Sequence, residues 1–342
     1  MNTLTDGFGR SVHYLRVSLT DRCNLRCVYC MPAEGDPFLQ TPELLTHDEI
    51  VSLARSFAPL GVKKIRLTGG EPLVRKGVAA LVAALRAVPG IEHVALTTNA
   101  LLLGRQAEAL AAAGLSSVNI SLDSLDPANF ARMARIGGLD KVIEGIEAAQ
   151  AASIPSIKLN AVVVRGMNDH EIVPLARWAM QRGLIMRYIE FMPIGEQTIW
   201  GASGEMTCMS ARDIRAALAE AWRVEPERER FGAGPARYWR LHGEGAPPEG
   251  HPIGVIAAVT ECFCEGCNRV RISSTGGLRA CLADDHEVDL RAILRDATLD
   301  QAGRDAALVA AIQRSLGSKK ERHSFDLTQP GVTRTAMHAL GG

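Results

Sequence analysis

Three cysteines fall within eight residues in the stretch TDRCNLRCVYCMP, spaced as Cys23-x3-Cys27-x2-Cys30. Three thiolates can hold three irons of a [4Fe–4S] cluster, and the fourth iron is then open to a small molecule. A zinc ion completed by a distant His or Cys suits the same spacing. A second triad follows some 230 residues later as Cys264-x2-Cys267-x13-Cys281, with Cys262 beside it and Cys208 alone. A structural zinc site using Cys262 as fourth thiolate is again compatible. Against it, Cys262 and Cys264 would point to opposite faces of an extended strand.

Basic residues accompany the thiols. Arg269 and Arg271 stand two apart in NRVR, on one face if extended, directly after the second group. Arg16 and Arg66 belong to the first two candidate strands and Lys158 to the fifth. Singly, each reads as a solvated charge. Converging on one mouth they would clamp a phosphate-bearing anion, because guanidinium forks bind phosphate bidentately. Lys+Arg and Asp+Glu both count 38, so any anion must be held by such a local cluster and no global field points to nucleic acid or a membrane. Further polar groups lie at strand ends: RLTGGEP (Arg66–Pro72), TTN (Thr97–Asn99), NISLDSLD (Asn119–Asp126) and YIEFM (Tyr188–Met192). The two glycines of GGEP allow close backbone approach to a ligand, and Pro72 ends strand pairing.

The elements that must position these groups alternate. YLRVSL, KKIRLT, HVALTT, SVNISL, IKLNAVVV and LIMRYIEF read as strands. Between them, segments such as HDEIVSLARSFAPLG and LDKVIEGIEAAQAAS carry helical periodicity and mostly end in Gly or Pro. Six βα units predict a parallel sheet, and motifs at successive strand ends favour an incomplete (βα)6 TIM-type barrel whose open side needs a cover. After about residue 225 the texture changes: ARYWRLHG, GVIAAV and RVRISSTGGLRACL read as antiparallel strands, EVDLRAILRD and ALVAAIQRSLGSKKER as helices. The expected division is therefore 1–224 for the barrel and 225–342 for a C-terminal α+β extension. The N-terminus has no apolar signal region, and GVAALVAALRAV is about half a membrane span and contains Arg86. A soluble, cytoplasmic protein is expected.

CxxxCxxC with aromatic Tyr29 before the last cysteine, followed by GGEP, resembles the radical S-adenosylmethionine (SAM) superfamily. There the open iron chelates SAM, and an electron from the cluster releases a 5′-deoxyadenosyl radical. The resemblance implies Tyr29, Gly70, Ser121 and Met192 as SAM contacts. With CxxCNRVR, LRACL and the terminal GG, the chain resembles end to end the GTP 3′,8-cyclase family of molybdenum cofactor biosynthesis. That implies a second [4Fe–4S] cluster on Cys264, Cys267 and Cys281. It also implies GTP contacts from Arg16, Arg66, Thr97, Lys158, Arg269 and Arg271. The reaction so implied removes hydrogen from ribose C3′ and joins that carbon to guanine C8. A flavodoxin or ferredoxin would supply electrons, cyclic pyranopterin monophosphate synthase would take the product, and a homodimer is compatible. The tail TAMHALGG is expected to reach the active site. Cys262 is additional to the family triad, and Ala100 stands where the family usually has Gly. The rival enzyme class is a radical SAM peptide-modifying enzyme with an auxiliary cluster. A non-catalytic electron-transfer or zinc-stabilised binding protein has no use for an open iron beside GGEP.

Overall fold

The computed structural model describes residues 3–34, 38–195, 208–325, 333, 335 and 337–340. The alternating segments form six strands, β1 (Tyr14–Ser18), β2 (Lys64–Thr68), β3 (His93–Thr98), β4 (Ser117–Ser121), β5 (Ile157–Val163) and β6 (Ile185–Glu190). Between them run α1 (His47–Phe57), α2 (Val78–Arg86), α3 (Ala107–Ala112), α4 (Pro127–Ala134), α5 (Leu139–Ala151) and α6 (Ile172–Gln181). α4 escaped the periodicity reading, although Asp126 and Pro127 supply its start signal. The Asp126 carboxylate accepts the Asn129 N–H at 2.7 Å, and proline occupies the first turn.

Every strand of the six presents two different faces. Leu15, Val17, Ile65, Leu67, Val118, Ile120, Leu159 and Met186 belong to one continuous buried core with the helices. The residues between them are mostly polar: Tyr14, Arg16, Lys64, Arg66, Thr97, Asn119, Lys158, Asn160 and Arg187 line a cavity on the other face. Buried charge is costly unless something pairs it, so such a face is a binding site rather than a core.

The C-terminal residues form α7 (Ala211–Ala219), β7 (Arg223–Glu227), β8 (Arg237–His242), β9 (His251–Ile256), β10 (Arg269–Ile272), β11 (Gly277–Arg279) and β12 (Val288–Asp289). They end in α8 (Leu290–Leu294), α9 (Gln301–Gly317) and α10 (Met337–Leu340). α9 begins earlier than its periodicity suggests, because the Asp300 side chain caps it at the Gly303 N–H.

The expected antiparallel extension is correct only for part of these strands. β7, β8 and β9 pair antiparallel, as do β10, β11 and β12, but β9 also joins β6 in parallel and β10 joins β1 in parallel. One twelve-stranded sheet results, in the order β12-β11-β10-β1-β2-β3-β4-β5-β6-β9-β8-β7. The physical reason is edge pairing: a six-stranded open sheet leaves two rows of unpaired backbone groups, and β9 and β10 satisfy one each. Glu190 at the end of β6 fastens this join, its carboxylate accepting the N–H groups of Ala211 (2.7 Å), Val259 (2.7 Å) and Thr260 (2.8 Å). Among the described residues no helix is long and apolar enough to cross a membrane.

Candidate active site

The first cysteine loop is held by the GGEP turn. Gly70 N–H donates to the Thr20 carbonyl at 2.7 Å and Glu71 N–H to the Arg22 carbonyl at 2.8 Å. A Cβ on Gly70 would stand 2.5 Å from the Arg22 carbonyl oxygen, and one on Gly69, at φ +154°, 2.7 Å from that of Thr20. The glycines therefore admit the cysteine loop itself, a close approach of backbone to backbone that sequence reasoning had assigned to a ligand. The Glu71 carboxylate turns inward, accepting the Asn99 N–H at 2.7 Å, the Leu73 N–H at 2.9 Å and the Thr98 hydroxyl at 2.8 Å. Burial outweighs these bonds and lifts its pKa to about 7. Ala100, the departure from the family pattern, adopts a left-handed backbone at φ 65°, the conformation glycine favours.

Cys23, Cys27 and Cys30 line one cavity of about 190 Å³ together with Tyr29, Gly70, Ser121, Asp123 and Met192. Burial raises the Cys23 thiol, and burial with nearby Asp123, Cys30 and Cys23 pushes Cys27 well up. Thiolates crowded in this way need a cation, and three sulfurs facing one cavity suit an iron–sulfur cluster. Asn99 Nδ2 lies 3.8 Å from Cys23 Sγ and donates to Asn24 at 2.7 Å. The Tyr29 hydroxyl donates to Asp123 at 2.5 Å, while the Val162 N–H reaches the other carboxylate oxygen at 2.9 Å. Burial brings Asp123 up to about 6 against those two bonds.

A second cavity, about 550 Å³, is lined by Arg16, Arg66, Thr97, Lys158, Arg269 and Arg271. All six residues expected to meet the nucleotide are thus brought together. Strand register explains how: Arg16 is the partner of both Arg66 on β2 and Arg271 on β10, and Tyr14 of both Lys64 and Arg269. Arg66 Nε donates to the Tyr14 hydroxyl at 2.6 Å, and its Nη1 to the Leu96 carbonyl at 2.6 Å and Thr97 Oγ1 at 3.2 Å. Arg269 lies 5.0 Å from the Phe263 ring centroid.

Sequence reasoning missed Arg187 and Tyr14, which line the same cavity. Arg187 is buried, with Nε donating to Asn160 Oδ1 at 2.9 Å. Its signal was available, since in β6 it alternates with the core residues Met186 and Tyr188. Among the described residues, Arg66, Arg187, Lys158, Arg269 and Arg271 make no salt bridge. Arg187 Nη2, Arg269 Nε and Arg271 Nε are buried without a hydrogen-bond partner among them.

The electrostatics register this excess of cation. Burial, then Arg187, Lys64 and Arg66, bring Lys158 down to about 8. Arg16 falls to about 9 through burial and the neighbouring arginines, and Arg271 to about 10 through burial and Arg269. Burial alone would raise the Tyr14 phenol, yet Arg66, Arg16 and Lys64 bring it down to about 7. A cavity so charged awaits a polyanion. Thr97, Asn160, Ile189, Met192 and Met337 line both cavities, so the cysteine end and the cationic end share a wall.

In the second cysteine group Cys262 and His323 lie close to Cys264. Cys264–Gly266 form a tight turn, and Cys262, Cys264 and His323 bring their donor atoms within 4.8 Å of one another, so the opposite-face objection to Cys262 fails. Burial raises the Cys267 thiol, but Lys319, Arg269 and Arg271 and the Arg269 N–H lower it overall. Cys281 lies near enough to Arg271 to influence its charge. A thiol held low by cations is ready to bind metal. Of the tail, Met337 borders both cavities and His338 the inner one, whereas Gly341 and Gly342 lie outside the described residues.

Residues 17–179 match the Radical SAM superfamily and residues 184–325 match Molybdenum Cofactor Synthesis C. The crystal structure of Streptococcus suis SuiB bound to S-adenosylmethionine superposes with a TM-score of 0.58 at 14% identity, covering 93% of this chain and 77% of that one. Fold and site together define the radical SAM class, with a cluster and SAM as cofactors. GTP 3′,8-cyclase of Pelotomaculum thermopropionicum is 42% identical over 99% of this chain and 100% of its own length. That of Pseudomonas entomophila is 46% identical over 99% and 98%. The chain belongs to the GTP 3′,8-cyclase family, whose cofactors are two [4Fe–4S] clusters and SAM.

Proposed function

We propose that this chain converts GTP to (8S)-3′,8-cyclo-7,8-dihydroguanosine 5′-triphosphate, the first step of molybdenum cofactor biosynthesis. The observation that carries this reading is the group Arg66, Lys158, Arg187, Arg269 and Arg271, which make no salt bridge among the described residues and line a cavity sharing a wall with the cysteine end. When bound, the first cluster and SAM supply reductive bond cleavage and hydrogen-atom abstraction. Cys23, Cys27 and Cys30 are assigned to that cluster, and Cys264, Cys267 and Cys281 to the second. Tyr29, Gly70, Ser121 and Met192 are assigned to SAM.

Arg16, Arg66, Thr97, Lys158, Arg269 and Arg271 are assigned to GTP, and Arg187 and Tyr14 join them from their position in the cavity. Arginines that already face the cavity bind phosphate with little reorganisation, and several of them fix the nucleotide by more than one oxygen. Burial of the site excludes water, which protects a reactive carbon from quenching. The barrel residues 1–224 then serve SAM, and residues 225–342 complete the nucleotide site through β10. A flavodoxin or ferredoxin as electron donor, cyclic pyranopterin monophosphate synthase as recipient, a homodimer and a cytoplasmic location belong to the same reading. Anaerobically reconstituted protein given SAM, reductant and GTP should form the cyclised nucleotide, detected by mass spectrometry. SAM cleavage with GTP returned unchanged would refute the reading.

A further inference from the structure

Outside the two cavities, Cys262, Cys264 and His323 place two sulfurs and one ring nitrogen within 4.8 Å of one another. All three are partly buried. His323 Nε2 is shielded from solvent and has no hydrogen-bond partner among the described residues. Its Nδ1 accepts a single long bond, 3.2 Å, from the Phe325 N–H. Arg322 Nε donates to Cys262 Sγ at 3.1 Å, a contact able to support a thiolate.

The apposition is built by the scaffold. Arg10 spans the two segments, with Nη1 donating to the carbonyls of Cys264 (2.8 Å) and Glu321 (2.7 Å) and Nη2 to that of Lys320 (2.7 Å). Its own Nε is held by Asp6 at 2.6 Å. The chain ahead of β1 therefore ties the end of α9 to the turn that carries the thiols.

We propose that the chain, before its second cluster is built, holds one zinc-class divalent cation on Cys262, Cys264 and His323. Two thiolates and an imidazole suit zinc and cobalt, leave a fourth tetrahedral position for water, and disfavour the hard cations magnesium and calcium. Binding releases the two thiol protons, and the dication with two thiolates is neutral overall. Ligation through Nε2 breaks no hydrogen bond among the described residues, and ligation through Nδ1 gives up only the Phe325 bond. Cys264 is also assigned to the second cluster, so the ion and that cluster exclude each other; this exclusion rests on the proposed ligand set.

Cobalt titration tests the site in the full-length, cluster-free chain carrying Ser at positions 23, 27 and 30, which silences the first triad. One cobalt per chain should bind with thiolate-to-cobalt absorption and tetrahedral d–d bands. Adding Cys262→Ser or His323→Ala should weaken binding at least tenfold, whereas Cys267→Ser and Cys281→Ser should leave it unchanged. Absorption unaffected by the first pair, or abolished by the second, would overturn the site. In the unsubstituted apo chain, zinc should slow alkylation of Cys262 and Cys264 but not of Cys208, read by peptide mass spectrometry. Equal alkylation with and without zinc would also overturn it, without reliance on any variant's folding. Reconstitution of the zinc-loaded chain should fall short by one cluster's iron. Full iron loading beside retained zinc would overturn the exclusion and with it the placing of Cys264 in the cluster, while the cobalt result judges the site independently.

Discussion

Arg269 and Arg271 sit on β10, and Tyr14 and Arg16 are their register partners on β1. Each arginine should contribute one charge-assisted phosphate bond, roughly 1.5–3 kcal/mol. Arg269→Ala and Arg271→Ala should therefore each weaken GTP binding about ten- to a hundredfold, by equilibrium dialysis, with SAM cleavage retained. Unchanged affinity in the double variant would refute the clamp. A pH dependence follows from the same cavity. Lys158 must be protonated and Tyr14 neutral to favour a polyanion, and their free-state values lie near 8 and 7. Affinity for GTP should thus fall as pH rises from 7 to 9, by at most about tenfold per pH unit for each titrating group. A flat profile in that window would contradict the assignment. The cysteines stood out by type and spacing, whereas Arg16, Arg66, Thr97, Lys158, Arg269 and Arg271, which line one cavity, were named together by the family resemblance. Arg187 was overlooked, although its alternation with the core residues Met186 and Tyr188 places it on the other face of β6.

At the scale of elements, the GGEP turn is a clasp on the first cysteine loop. Gly70→Ala would bring a methyl group to 2.5 Å from the Arg22 carbonyl, so the loop must shift. Overpacking of this kind costs roughly 1–3 kcal/mol. The variant should keep its barrel circular dichroism, melt at a lower temperature and lose iron from the first cluster only. Full iron content would show that the clasp does not position the thiols. The six βα units were readable from periodicity, and HVALTT matches β3 residue for residue. Partner choice was not. Alternation identifies β9 and β10 as strands, but whether they pair with each other or with β6 and β1 depends on which edges stand open. That is a property of the assembled sheet.

Across the whole molecule, the chain's two halves meet in one sheet and in two cavities that share a wall. Met337 borders both cavities, and His338 and Leu340 are buried, so the C-terminal segment is seated against the site rather than free of it. Deleting Gly341 and Gly342 should leave the melting temperature, both clusters and SAM cleavage intact while abolishing cyclisation. Undiminished turnover would mean that the tail ends short of the chemistry. The most direct test of the central claim is to count products in one anaerobic reaction containing reconstituted protein, reductant, SAM and GTP. The account predicts a cyclised nucleotide formed in step with 5′-deoxyadenosine, and loss of the nucleotide product but not of 5′-deoxyadenosine in the Arg269→Ala/Arg271→Ala variant. Deoxyadenosine accumulating with intact GTP in the unsubstituted protein would contradict it.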